Sequence, residues 1–182
     1  MRRKATVKEF KDLRAKESSS STLQPFNAST LEFENQQRTK RINRALLKKI
    51  TLTALAELGI QRWDLTFYFV DAKRMAEINQ AHMHHEGPTD VITFDYADAV
   101  PRSAPRTPRF LQGEIFICPA VAVTQAREFR TTWESEIVRY IVHSLLHLCG
   151  YDDLKPAARR EMKRHENRLV RRLEDTFASS TF

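Results

Sequence analysis

The sequence predicts an α+β fold, a single domain in which a four-stranded mixed sheet is packed by about five helices. Three observations carry the prediction. Four short segments have the length and apolar alternation of strands. Longer segments repeat apolar residues at helical spacing. Their order along the chain is β-α-β-α-β-β-α-α-α, so every strand has a helix nearby to cover it.

Residues 1–28 mix charge with the serine run Ser18–Ser21 and show little apolar periodicity. They read as a flexible basic tail with a short helix near Val7–Arg14. The domain spans 29–178, and 179–182 form a C-terminal tail. "TLEFEN" alternates apolar and polar residues as a strand does. From Thr39 to Leu58, apolar residues including Ile42, Leu46, Leu47, Ile50 and Leu55 recur at helical spacing, and Gly59 ends the helix. "WDLTFYFVD" is the second strand, after which Asp71 caps a short helix through Met75 and Ile78. "DVITFDY" is the third strand, introduced by "GPT". The stretch "ADAVPRSAPRTPR" is a loop, and "GEIFICP" is the fourth strand. Three helices follow, over about 119–130, 134–149 and 156–177. The middle one is apolar around most of its circumference, with Ile137, Tyr140, Ile141, Val142, Leu145, Leu146 and Leu148, and so is a buried helix.

The formal charge of +7 favours anionic partners, above all nucleic acid. The only cysteines, Cys118 and Cys149, are too few for a disulfide framework, and each reads as a small buried side chain in a cytoplasmic protein. No apolar run approaches the roughly 18–20 residues of a membrane span. The basic start Met1–Lys4 is not followed by the apolar stretch of a secretory signal.

The chemistry concentrates in "HSLLHLCGYDD", residues 143–153. On a helix, His143 and His147 project from one face a turn apart, as a pair of imidazoles must to grip one zinc ion. Gly150 follows the helix end, where a positive φ lets the chain double back and offer Asp153 to the same ion. Two histidines and a carboxylate with one open position form the donor set of catalytic zinc. The spacing H-x-x-x-H-x-x-G-x-x-D resembles that of zinc peptidases, but Ser144 stands where those enzymes carry their glutamate base. A serine of ordinary pKa cannot take that proton at pH 7.

With these residues in place, the chain resembles the YbeY family of bacterial rRNA maturation factors and metal-dependent endoribonucleases. The family motif H-G-x-L-H-L-x-G-Y-D-H is followed by His143–Asp153 except at Ser144 and Asp153. "NQAHMHHEGPTDVITFDY" (79–96), "GEIFIC" (113–118) and "ESEIVRYIVH" (134–143) are similar to the family's segments upstream of the metal helix. Roughly residues 30–175 are covered. The resemblance implies one Zn2+ per chain, or another divalent metal, held by His143, His147 and Asp153. It implies action in 16S rRNA 3′-end maturation and ribosome quality control, with rRNA and the small ribosomal subunit as partners, together with a ribosomal protein and an assembly GTPase, and no membrane.

Three departures from the family pattern bear on this expectation. Asp153 replaces a third histidine, and carboxylate oxygen is a competent ligand. Ser144 replaces a glycine. Met83 falls where the family has an arginine proposed to engage phosphate, and methionine cannot stabilise that charge. His82, His84 and His85 crowd the same loop, and His85 is the candidate replacement. Arg102, Arg106 and Arg109, and Arg160 and Arg164 in the last helix, are candidates for RNA contact, the alternative being solvated surface. Asp152 either orients a ligating histidine, caps the last helix or faces water, and His165 reads as a surface residue. The competing function is a non-catalytic rRNA or ribosome-assembly binding factor whose metal only locks the helix end.

Overall fold

Strand β1 (Thr30–Asn35) opens the described part of the chain. In the computed structural model this covers residues 29–96 and 110–180. The expected tail over 1–28, its helix near Val7–Arg14, and Arg102, Arg106 and Arg109 lie outside the described residues. Eight further elements follow in the expected order: helix α1 (Arg44–Glu57), β2 (Trp63–Phe69), α2 (Ala72–Met83), β3 (Val91–Asp95), β4 (Leu111–Ile117), α3 (Pro119–Phe129), α4 (Trp133–Leu148) and α5 (Pro156–Phe177). The sheet order is β1-β2-β4-β3. The β1–β2 and β2–β4 pairs are parallel and β3–β4 is antiparallel, so the sheet is mixed.

Alternation along the strands sorts side chains onto two faces. Leu65, Phe67, Leu111, Ile115 and Val91 face a core shared with α1, α4 and α5. Ile92, Phe94 and Phe116 face the other way and are covered by Met75 and Ile78 of α2. Helix α4 packs directly on β3 and β4, between the sheet and α5. That central position explains its near-complete burial, as its all-round apolar sequence requires.

One glycine sets how closely α4 approaches the sheet. A Cβ on Gly113 of β4 would stand 2.5 Å from the backbone oxygen of Phe94 and 3.1 Å from Leu148 Cδ2. Only a residue without a side chain lets the last turn of α4 seat there.

The first helix is shorter than its periodicity suggests. It starts at Arg44, because Asn43 Oδ1 accepts from Leu46 N at 3.0 Å and caps it. Residues ahead of it form a turn closed by buried Gln37, whose side chain bonds both the N–H and the carbonyl of Lys40. Gly59 takes φ 71°, and Ile60 N reaches back to Leu55 O at 2.9 Å, the helix end expected of that glycine. Both cysteines are buried and unbridged. No described helix is long and apolar enough to cross a membrane.

Candidate metal centre

The site is built by the end of α4. Gly150 takes φ 89°. Its N–H donates to His147 O at 2.9 Å and Tyr151 N donates to Leu146 O at 3.0 Å. These two bonds are the Schellman closure of a helix, and they require a residue at ease with positive φ. The chain reverses, and two groups are carried back against the histidines. The Tyr151 carbonyl meets His147 Nδ1 at 3.1 Å. Asp153 Oδ1 comes to 4.0 Å from His147 Nε2.

The donor atoms of His143, His147 and Asp153 all lie within 4.8 Å of one another, and both histidines are buried. Their protonation follows from their partners. A carbonyl oxygen can only accept, so His147 Nδ1 donates to Tyr151 O. His143 Nδ1 lies 3.0 Å from Glu166 Oε2. Burial raises the pKa of Glu166, but hydrogen bonds from His143, Lys163 and Arg139 and the Lys163 charge outweigh it and hold the carboxyl at about 2. Glu166 is therefore an anion and His143 Nδ1 its donor.

Both Nε2 atoms are then left with lone pairs, and they face each other at 2.9 Å. Asp153 Oδ1, also buried, has no hydrogen-bond partner among the described residues. A shared proton would satisfy at most the two nitrogens. A divalent cation satisfies all three donors. Tetrahedral zinc with bonds of about 2.0–2.1 Å has ligand–ligand edges of roughly 3.3 Å. The observed separations bracket that length, and the donor set fits the ion.

Glu166 is the functional residue that sequence reasoning misses. It is 3% exposed, on α5. Its Oε1 accepts from Arg139 NH1 at 2.7 Å and Lys163 Nζ at 2.6 Å, which leaves Oε2 for His143. Such a carboxylate–histidine pair fixes the ring and raises its basicity as a ligand. The signal available in the sequence was its position. Glu166 lies on the apolar stripe of Met162, Leu169, Val170 and Leu173, where an acid is out of place unless paired.

Other expected residues fall differently. Asp152 does not orient a histidine. Its Oδ1 accepts from Leu154 N at 3.1 Å in a local turn, because a short side chain bonds the backbone two residues on more readily than a distant ring. Nor does it cap α5, whose N-cap is Lys155. His165 is half-buried rather than on the open surface: its ring packs 4.9 Å from that of Tyr151, and Arg168 donates to its Nδ1 at 3.1 Å. His85 is exposed in the loop after α2 and is not part of the three-donor group. Met83 packs in the second core cluster with α2, and His82 sets its ring edge-on to Phe94. Asp90 is buried and bonds Val91 N at 2.9 Å at the head of β3. Ser144 is fully buried and donates to Tyr140 O at 2.8 Å, so no base stands at the peptidase position. Arg160 and Arg164 are exposed on α5.

Comparison with known proteins gives the chain a family. The family model described as Endoribonuclease YbeY matches residues 31–174. An Endoribonuclease YbeY of Chlorobium luteolum is 32% identical over 143 residues, covering 79% of this chain and 97% of the relative. One of Thermobifida fusca is 34% identical over 138 residues, covering 75% of this chain and 84% of the relative. The solution structure of TM1509 from Thermotoga maritima has the same fold, with a TM-score of 0.57 at 24% identity over 82% of this chain and 93% of that one. The chain belongs to the YbeY endoribonuclease family.

Proposed function

We propose that this protein is a zinc-dependent endoribonuclease of the cytoplasm that acts on ribosomal RNA, in 16S rRNA 3′-end maturation and ribosome quality control. One observation carries the reading. Two imidazole lone pairs 2.9 Å apart and an unpartnered buried carboxylate oxygen converge on one point, in a chain of net charge +7. When bound there, zinc supplies an acidified water and Lewis-acid polarisation of a phosphodiester. The chain's residues do the rest. His143, His147 and Asp153 hold the ion, Glu166 and the Tyr151 carbonyl hold the protons at the two Nδ1 atoms, and exposed Arg160 and Arg164 attract the RNA backbone. Arg102, Arg106 and Arg109 add to that attraction by charge. The family resemblance extends the reading to the small ribosomal subunit, a ribosomal protein and an assembly GTPase as partners.

Elemental analysis and RNA cleavage by protein freed of contaminating nuclease test this together. The wild type is expected to hold about one zinc per chain and to cut RNA. Asp153→Ala is expected to bind zinc at least ~100-fold more weakly and to lose cleavage. Metal-loaded wild type that leaves RNA intact would favour the second reading, a non-catalytic rRNA-binding factor. Met83 speaks for that reading, since it packs as an apolar side chain and brings no charge to phosphate.

A further inference from the structure

Arg159 is the cation that touches the metal loop. It stands in the first turn of α5 and is exposed. Its Nε donates to the carbonyl oxygen of Asp153 at 2.9 Å. Asp153 is the same residue whose Oδ1 completes the three-donor group. Four cations of α4 and α5 are committed elsewhere: Arg139 and Lys163 to Glu166, Arg168 to His165, and Arg172 to Glu57. Arg159 is not. Its Nε bond fixes the plane of the guanidinium, and no hydrogen bond or ion pair with a described residue engages its NH1 or NH2. An arginine held this way presents its NH1/NH2 edge, the two-pronged edge that matches a phosphate. The first turn of α5, which carries Arg159, adds the partial positive charge of a helix N-terminus, with Pro156 at its start and no side-chain cap.

We propose that Arg159 is a catalytic residue, whose NH1/NH2 edge binds the non-bridging oxygens of the phosphodiester at the metal centre while its Nε holds the Asp153 loop. The inference rests on the endoribonuclease reading and names the group that receives its substrate. A phosphodiester carries one negative charge. When hydroxide adds to phosphorus, a second develops on the non-bridging oxygens; the bond to the ribose oxygen then breaks, and that oxygen takes the proton of the added hydroxyl, leaving a phosphomonoester and a free hydroxyl. A guanidinium fixed in advance against those oxygens gains strength as the charge doubles, so it acts on kcat more than on KM.

Three measurements on Arg159→Ala and Arg159→Lys test it. Calorimetric titration of the zinc-loaded protein with inorganic phosphate reads the anion site without turnover. Competition with a chelator reads zinc affinity. Cleavage of a short single-stranded RNA reads kcat. Arg159→Ala is expected to weaken phosphate binding at least ~10-fold and to lower kcat by more than it raises KM, with zinc affinity falling by much less than phosphate affinity. Arg159→Lys is expected to recover part of the phosphate binding, as a point charge without the fork. Arg74→Ala, which removes the same charge from α2 on the opposite face of the sheet, serves as the control that changes neither. Unchanged phosphate affinity in Arg159→Ala overturns the proposal. So does zinc affinity falling in step with phosphate affinity, which would make Arg159 only a strap on the loop. Wild type that binds phosphate through Arg159 but leaves RNA intact sinks the endoribonuclease reading and keeps the anion site. Wild type that cuts RNA no faster than Arg159→Ala sinks this proposal alone.

Discussion

Replacing Glu166 by glutamine keeps its volume and removes its charge. In the wild type the carboxylate is 3% exposed and accepts from His143, Arg139 and Lys163. Its pKa falls from 4.5 to about 2 on folding. A depressed carboxyl pKa adds stability that is fully present above the unfolded value and is lost as pH drops through the folded one. For a change from 4.5 to about 2 the contribution at neutral pH is on the order of 3 kcal/mol. Glu166→Gln should therefore destabilise the metal-free protein by roughly 2–3 kcal/mol at pH 7, and the gap to wild type should close between about pH 4.5 and pH 2. Zinc affinity should fall about 10–100-fold, because an amide oxygen orients the His143 ring less firmly and makes it a poorer ligand. Urea denaturation of metal-free protein across that pH range reads the first effect, and chelator competition at pH 7 reads the second. Glu57→Gln is the control. Its ion pair with Arg172 is on the surface, and losing it should cost under about 1 kcal/mol. If Glu166→Gln matched wild type in both assays, Glu166 would not be holding His143, and the lone-pair argument for the cation would lose one of its two supports.

Three other outcomes follow from the geometry. Gly150→Ala has room for its Cβ but must hold φ 89°, so it should cost about 1–2 kcal/mol by thermal melting and loosen zinc, since the reversal that delivers Asp153 is the strained part. Gly113→Ala should cost about 1–3 kcal/mol, because the Phe94 backbone oxygen at 2.5 Å cannot swing away, and zinc affinity should drop as Leu148 is pushed off the sheet beside His147. Adding zinc to about 100 times its Kd should stabilise the protein by about 2.7 kcal/mol, a rise of roughly 5–10 °C in Tm that excess chelator reverses; an unmoved Tm would mean that the three donors bind no ion.

The order and type of every described element were legible because period alone separates strand from helix, and the periods here are clean. Phe33, Phe67 and Ile115 alternate inward on three neighbouring strands, and α4 is apolar all round because it lies between the sheet and α5. Helix ends were less legible. Ile42 continues the helical spacing of α1 and packs on the core, yet it precedes Asn43, whose side chain starts the helix. Periodicity reports which side chains are buried; the boundary is set by which backbone N–H finds a side-chain acceptor.

The same distinction divides the metal centre. His143, His147 and Asp153 could be read as a group because everything that brings them together is local: one helical turn, then a reversal that Gly150 permits. Glu166 lies 23 residues from His143 and meets it only because α5 packs along α4. Charge pattern alone makes it one more acid among the basic residues of α5, and a pairing argument along that helix does find Lys163. It cannot find Arg139 or His143, which come from another helix. Burial is what separates the two views. An acid on a solvated face is satisfied by water and constrains nothing, whereas an acid on the stripe of Met162 and Leu169 must find donors from whatever packs over it. Here the surface packed over it is the histidine face of α4, so the apolar stripe that makes α5 a core helix also delivers the carboxylate that orients His143 toward a cation, while the Tyr151 carbonyl does the same for His147.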